Sequence, residues 1–498
     1  MKQLSHNGIL IPKYEPKGFH IMFKGKKIDL KPEQEEMAVT WVKKLDTDYA
    51  KDKVFVRNFF DDFCNVLGVE GSVEDFDFSE IKELVDKERE SKLAMSRKEK
   101  KKLAEERKAI RETNKEKYGF AIIDGEKIEL GNYMAEPSSI FMGRGKHPLR
   151  GKWKKGATES DVILNLSPES KVPSGKWKAV VWQKDSMWIA KWDDKLRGRE
   201  KYVWVSDFSP MKQEREIEKF EKAKELENKF DAIKNHMMKN LDSDDLKKRK
   251  ISTVCYLIYA LSMRLGDEKD EDEADTVGAT TLTPKNITIC QNNLVKFNFI
   301  GKDYVKWDKE VVLPRNVTRN LKEFIESSKN FVFDGVRSED VNAFLGEIIE
   351  GITAKVFRTY HASKAVKDYI EKAKIKKDDP EAYKKYLATM ANLQAAIVCN
   401  HKRKMPIKWK ETLEKKKERL EQLKLKKTKK SKEAVKALEM KIKLMKETKD
   451  YNLNTSLKSY VDPRIYYKWF KKVDFDWKKY YSKTLQRKFS WVEKEDKS

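Results

Sequence analysis

Four basic side chains and one tyrosine, spread from position 264 to position 460, form the most informative constellation in the chain. Arg264 lies in ALSMRLGDEKDEDEADTVG, Lys302 in FIGKDYVKW, Arg358 in TAKVFRTYHAS, His401 in VCNHKR and Tyr460 in SLKSYVDPR. Guanidinium groups stay charged and grip anionic oxygens through paired hydrogen bonds. Lysine and histidine side chains donate or transfer protons. A phenol ionises near pH 10, so tyrosine becomes a nucleophile near neutrality only beside positive charge. Each residue also has an ordinary reading. Arg264 suits an ion pair with the acidic run beside it, Lys302 a solvated turn, His401 a helix cap, and Tyr460 packing in an aromatic segment.

Other chemistries lack their motifs. There is no GxxxxGK[ST], and GRGK at 143–146 is too short for a nucleotide loop. His6, His20, His147, His236, His361 and His401 are scattered, with no HExxH and no zinc spacing. The acidic run from Asp267 to Asp275 lacks the glycine that a calcium loop needs at its sixth position, so it reads as a solvated loop. No metal site and no cofactor are expected.

The chain has 498 residues, 108 Lys and Arg against 82 Asp and Glu, and a formal charge of +26. Twelve Trp, eighteen Tyr and twenty-three Phe exclude a disordered chain. The excess charge points to a polyanion as partner. It is uneven: residues 401–498 carry +18, and the first 400 are nearly balanced. Four cysteines, Cys64, Cys255, Cys290 and Cys399, exclude a disulfide scaffold and suit a reducing compartment. The opening MKQLSHNGILIPKYEP does not read as a secretory signal, and no apolar run is long enough to span a bilayer.

The pattern divides the chain. Residues 1–16 read as an irregular lead-in and 17–115 as a mixed α/β segment. The latter ends in long charged helices, because 87–117 holds no Gly or Pro. Residues 116–210 are strand-rich, with alternating runs between Gly, Pro and Ser clusters. Residues 211–403 read as helical, interrupted by a hairpin at KFNFIGKDYVKWD. Residues 404–450 predict an antiparallel helical hairpin. Leu413, Leu420 and Leu423 mark the seam of one arm, and Val435, Leu438, Ile442 and Met445 that of the other. Residues 451–498, rich in aromatics, predict a small helical domain.

The motifs TAKVFRTYHAS, ADTVG, GRGKHP and the Tyr-x-Asp-Pro-Arg run together resemble the eukaryotic-type DNA topoisomerases of type IB, from KYEP near the start to KFSW near the end. The resemblance implies an α+β fold. It would be a bilobed DNA clamp with a mixed α/β upper lobe, a mainly helical catalytic lobe, a coiled-coil linker and a small helical C-terminal domain. It implies that Tyr460 is the nucleophile, that Arg264 and Arg358 hold the non-bridging phosphate oxygens, that Lys302 is the general acid, and that His401 donates a hydrogen bond. It implies relaxation of supercoiled duplex DNA through a 3′-phosphotyrosine, without ATP, metal or other cofactor. Arg144, Lys269, Thr276, Lys302, Asp303, Thr455 and Ser459 match DNA-contacting positions of the family. The resemblance implies double-stranded DNA as the partner, with no membrane and no nucleotide cofactor. The enzyme would be a monomer, nuclear or in a viral replication compartment.

Departures from the family pattern are informative. Ser459 stands where the family has Asn, which implies normal relaxation but weak poisoning by camptothecin-type compounds. His361 also stands where the family has Asn, and is taken as a neighbour of the site and not a catalyst. The acidic loop is one residue short, which weakens the Lys269 match. Two rivals remain at this level: a site-specific tyrosine recombinase, which would need target sites, and a non-catalytic DNA-binding protein.

Overall fold

The computed structural model describes residues 1–267, 276–426 and 428–496. The chain divides into two compact units, Met1–Lys212 and Gln213–Ser498.

The first unit begins with β1 (Leu4–His6), β2 (His20–Phe23), β3 (Lys26–Asp29), α1 (Pro32–Val42), α2 (Lys53–Leu67), β4 (Phe76–Asp77), α3 (Ser79–Ala94) and α4 (Arg97–Tyr118). Eight short strands follow: β5 (Phe120–Ile123), β6 (Glu126–Glu129), β7 (Ser139–Ile140), β8 (Trp153–Lys154), β9 (Ile163–Asn165), β10 (Ala179–Val181), β11 (Trp188–Asp193) and β12 (Glu200–Trp204). They form small sheets of order β1-β5-β6, β3-β2-β4, β7-β8 and β10-β9-β11-β12.

Residues 1–16 differ from the sequence expectation. Leu4 is fully buried, β1 pairs with β5, and the Leu10 amide donates to the Tyr133 carbonyl at 2.8 Å. A three-residue strand is too short to display alternation. The charged stretch is a helix pair. Ser96 starts α4 by accepting from the Glu99 amide, while the Glu99 carboxylate accepts from the Ser96 amide. On α2, Phe55, Phe59, Phe60 and Phe63 fall on one face and pack with Trp41 of α1. The loop holding GRGKHP lies against this helix: a Cβ on Gly151 would sit 2.0 Å from the Phe55 carbonyl oxygen.

The second unit carries α5 (Pro210–Asn228, which begins at the junction), α6 (Phe230–Asn240), α7 (Leu246–Leu261), β13 (Ile287–Ile289), β14 (Leu294–Gly301), β15 (Val305–Val312), α8 (Arg315–Ser327), α9 (Ser338–Gly346), α10 (Ala354–Lys372) and α11 (Glu381–Val398). The linker hairpin is α12 (Trp409–Lys424) and α13 (Lys429–Glu447). Four short helices close the chain: α14 (Leu453–Ser459), α15 (Pro463–Lys472), α16 (Lys483–Lys488) and α17 (Trp491–Glu495).

Two cores organise this unit. One joins α7, α8 and the strands through Val254, Leu257, Phe297, Leu321 and Phe324. The other joins α10 and α11 to the last helices through Ala362, Val366, Ala391, Tyr466, Phe470 and Phe489. The final segment therefore buries its aromatics against α10 and α11. Leu413, Leu420, Leu438 and Ile442 form the linker seam, with Leu423, Val435 and Met445 beside it. The Trp409 indole donates to the Met445 carbonyl at 3.1 Å, which sets the arms antiparallel. The β14–β15 hairpin has Gly301 opposite Val305 and a three-residue turn, Lys302–Tyr304. Tyr304, not a glycine, takes the left-handed conformation there, at φ 57°.

Candidate active site

Arg264 leaves α7 through a left-handed turn. Ser262 sits at φ 55°, a conformation unusual for serine, and its carbonyl accepts from an Arg358 guanidinium nitrogen. The segment after the acidic run brackets Arg264. The Ala279 amide donates to the Arg264 carbonyl at 2.8 Å, and the Val277 amide donates to Ile300 of the hairpin at 2.8 Å. A Cβ on Gly278 would lie 2.0 Å from the Leu265 carbonyl oxygen, so only glycine lets the two segments meet. Val277 and Gly278 thus tie the Arg264 loop to the strand that leads to Lys302. The Arg264 side chain has no hydrogen-bond or ion-pair partner among the described residues.

Arg358 projects from α10 and is 3% exposed. One guanidinium nitrogen donates to the Cys399 carbonyl at 2.8 Å and lies 3.3 Å from His401 Nε2. Arg358 Nε and His401 Nδ1 are buried with no hydrogen-bond partner. Buried polar atoms are rarely left so, and two orphans in one pocket mark places for an external acceptor. His401 follows α11 after Asn400, which takes φ 52°. Burial first, then Arg358 and Arg264, push the imidazole pKa down to about 3. His401 is therefore neutral near pH 7.

Tyr460 ends α14 and is 4% exposed. Its ring lies 5.2 Å from the Arg358 guanidinium carbon and 5.2 Å from the His401 ring centre. Burial raises the phenol pKa, but Arg358 and Arg264 outweigh it and hold the phenol below its ordinary value. The chain brings Tyr460 to this cluster through the ends of the linker. Lys402 and Tyr451 form a bridge, and the Asn452 amide donates to the His401 carbonyl at 2.7 Å. Asn392 of α11 then holds α14, donating to the Leu453 carbonyl and accepting from the Ser456 hydroxyl, each at 2.9 Å. The YVDPR run also has a local reason. Asp462 caps α15, Pro463 opens it, and Arg464 grips the Asp462 carboxylate with two nitrogens.

Arg264, Arg358, His401 and Tyr460 thus converge, through contact or electrostatic coupling. Lys302 and Asp303 lie in the hairpin turn two residues beyond Ile300, the residue bonded to Val277. Ser459 immediately precedes the tyrosine, and Thr455 lies one helical turn before it. Thr276 is buried, at 4% exposure. Arg144 is exposed in the first unit. Lys269 lies outside the described residues. His361 is half-buried among Tyr259, Phe357 and Tyr360, and desolvation pushes its pKa down to about 4.

Sequence reasoning missed Lys309. Along β15 the inward positions are Val305, Trp307, Lys309 and Val311, so a lysine occupies an apolar slot. Neighbouring lysines are paired, Lys306 with Asp308 and Lys296 with Glu310, while Lys309 has no ion-pair partner among the described residues. Its ammonium lies 4.6 Å from the Trp307 ring centre, and burial, then Arg358, lowers its pKa. A lysine in the alternating apolar register was the available signal. Ser363, whose hydroxyl donates to the Tyr460 carbonyl at 3.2 Å, had no sequence signal beyond its place in the TAKVFRTYHAS helix.

Comparison with known proteins gives matches along the chain. Residues 1–205 match the eukaryotic DNA topoisomerase I DNA binding fragment, residues 208–434 its catalytic core, and residues 432–498 a C-terminal topoisomerase domain. DNA topoisomerase 1 beta of Arabidopsis thaliana is 34% identical over 542 residues, covering 99% of this chain and 58% of that protein. Human DNA topoisomerase 1 is 32% identical, with 99% of this chain and 70% of the relative covered. Human mitochondrial DNA topoisomerase I is 31% identical, with 99% and 90% covered. The chain thus spans little more than half of the plant relative, and most of the human ones.

Proposed function

Because the chain belongs to the eukaryotic DNA topoisomerase I family, we propose that it is a type IB DNA topoisomerase that relaxes supercoiled duplex DNA. The observation that carries this reading is the buried Tyr460 phenol, whose ring lies 5.2 Å from both the Arg358 guanidinium carbon and the His401 ring centre. Tyr460 loses its phenolic proton to water, the phenolate oxygen attacks a backbone phosphorus, and the bond to the 5′ oxygen breaks. Lys302 gives a proton to that oxygen. Arg264 and Arg358 hold the non-bridging oxygens and stabilise the added charge of the pentacoordinate transition state. The unpartnered Arg358 Nε and His401 Nδ1 are donors suited to those oxygens. The 3′-phosphotyrosine conserves the bond energy, so rotation and religation need no ATP.

DNA contacts extend the site. Arg144, Lys269, Thr276, Asp303, Thr455 and Ser459 bind backbone or groove, giving affinity with little sequence preference and steep salt dependence. Residues 17–210 bind DNA, 211–403 make the catalytic lobe, 404–450 the linker and 451–498 the part that delivers the tyrosine. The enzyme acts as a nuclear monomer. The test is relaxation of supercoiled plasmid in EDTA without ATP. Wild type relaxes it; Tyr460→Phe binds DNA and does not. Relaxation by the Phe variant at the wild-type rate would overturn the assignment.

A further inference from the structure

Three consecutive backbone carbonyls at the end of α14 are each held by a side chain from a different helix. The Lys458 carbonyl accepts from Lys488 of α16 at 3.1 Å. The Ser459 carbonyl accepts from Lys219 of α5 at 3.0 Å. The Tyr460 carbonyl accepts from the Ser363 hydroxyl of α10, which in turn accepts from the Asp462 amide at 3.0 Å. Glu216 of α5 pairs with both lysines, at 3.3 Å from Lys488. Gln213, at the start of the same unit, donates to the Arg487 carbonyl and the Ser490 hydroxyl, each at 3.2 Å, fixing α16 against α5.

A helix end leaves its last carbonyls without intrahelical partners, and most are met by water or a capping turn. Here the side chains of Glu216, Lys219 and Lys488 are 17%, 23% and 10% exposed, so these are sheltered contacts and not incidental surface ones. Positive charge at a helix C-terminus is also favourable. The chain has spent two partly buried lysines and a shared carboxylate on the peptide groups next to one tyrosine.

We propose that Lys219, Lys488, Glu216 and Ser363 are positioning residues that fix the backbone turn presenting Tyr460. This rests on the reading of Tyr460 as the nucleophile. None of the four touches the phosphate; they restrict the rotations that would swing the phenol away from the Arg358 and His401 pocket. A reacting atom displaced by an ångström costs about a hundredfold in rate.

The experiment compares full-length wild type, Lys219→Met, Lys219→Arg and Glu216→Gln. Single-turnover cleavage of a duplex oligonucleotide, its dissociation constant at several salt concentrations, and the ¹³Cζ signal of Tyr460 are measured. The expected result is a cleavage rate at least tenfold lower in Lys219→Met, with affinity within twofold and the salt slope unchanged. Lys219→Arg recovers much of the rate, and the Tyr460 signal broadens or splits in the Met variant. Glu216→Gln, which keeps both lysines but loosens them, gives a smaller effect of the same kind and serves if Lys219→Met does not fold. A salt slope reduced by about one makes Lys219 a phosphate contact and overturns the proposal. So does wild-type cleavage by both variants with an unchanged Tyr460 signal. Absence of cleavage by wild type itself refutes the enzyme reading, and the Tyr460 signal still decides whether these residues fix the turn.

Discussion

Replacing Arg358 by Met should raise the Tyr460 pKa. The guanidinium carbon lies 5.2 Å from the phenol ring centre. At an effective dielectric constant near 20, a unit charge at that distance is worth about 3 kcal/mol. Arg264 remains, but burial then dominates, so the phenol moves from below its ordinary value to above it. Arg358→Lys separates charge from geometry: it keeps the positive charge and loses the paired hydrogen bonds to the Ser262 and Cys399 carbonyls. The assay is a pH titration of ¹³Cζ-tyrosine-labelled protein, with the Tyr460 resonance assigned from Tyr460→Phe. Wild type titrates below the ordinary tyrosine value, Arg358→Lys close to wild type, and Arg358→Met at clearly higher pH than wild type. A Tyr460 pKa unchanged in Arg358→Met refutes guanidinium activation of the phenol.

Three further outcomes are expected. His401, neutral in the fold with a pKa of about 3, binds a proton more readily when unfolded, so its contribution to stability falls as pH drops below about 6.5. Denaturant melts should show His401→Gln losing about 2 kcal/mol less than wild type between pH 6.5 and 5, and cleavage by wild type should show no break at pH 6 to 7. Gly278→Ala places a methyl group 2.0 Å from the Leu265 carbonyl oxygen, so it should cost about 3 kcal/mol in a thermal melt and impair cleavage through Arg264. Replacing residues 404–449 with a short flexible loop should preserve DNA cleavage, because the Lys402–Tyr451 bridge and the Asn452–His401 hydrogen bond lie outside the deletion; loss of cleavage with an intact fold would show that the linker itself positions Tyr460.

Side chains that act through type and order were legible in the sequence. The heptad positions 413, 420, 438 and 442 became the linker seam because apolar spacing alone decides which helix faces meet. The hairpin at KFNFIGKDYVKWD was legible from alternation, but its turn was not: Tyr304, and not the glycine, carries the left-handed residue. β1 was missed because three residues cannot show a period, and its pairing with β5 is decided more than a hundred residues away. At the site, motifs located Arg264, Arg358, His401 and Tyr460, but not why each holds its place. The Ser262 and Cys399 carbonyls that seat Arg358 are backbone atoms, which residue identity does not encode. Lys219 and Lys488 looked like two of many surface lysines until the fold set them under the tyrosine.

The core shared by α10, α11 and the last helices has a consequence for synthesis. During translation, Arg264, Lys302, Arg358 and His401 emerge before the residues that complete that core, among them Tyr466, Phe470 and Phe489. A ribosome that stalls before residue 453 leaves α10 and α11 without the helices that share their apolar core, and without Tyr460. Under the proposed mechanism such a product holds the basic residues but no nucleophile. On that reading, cleavage depends on the last helices being made and packed.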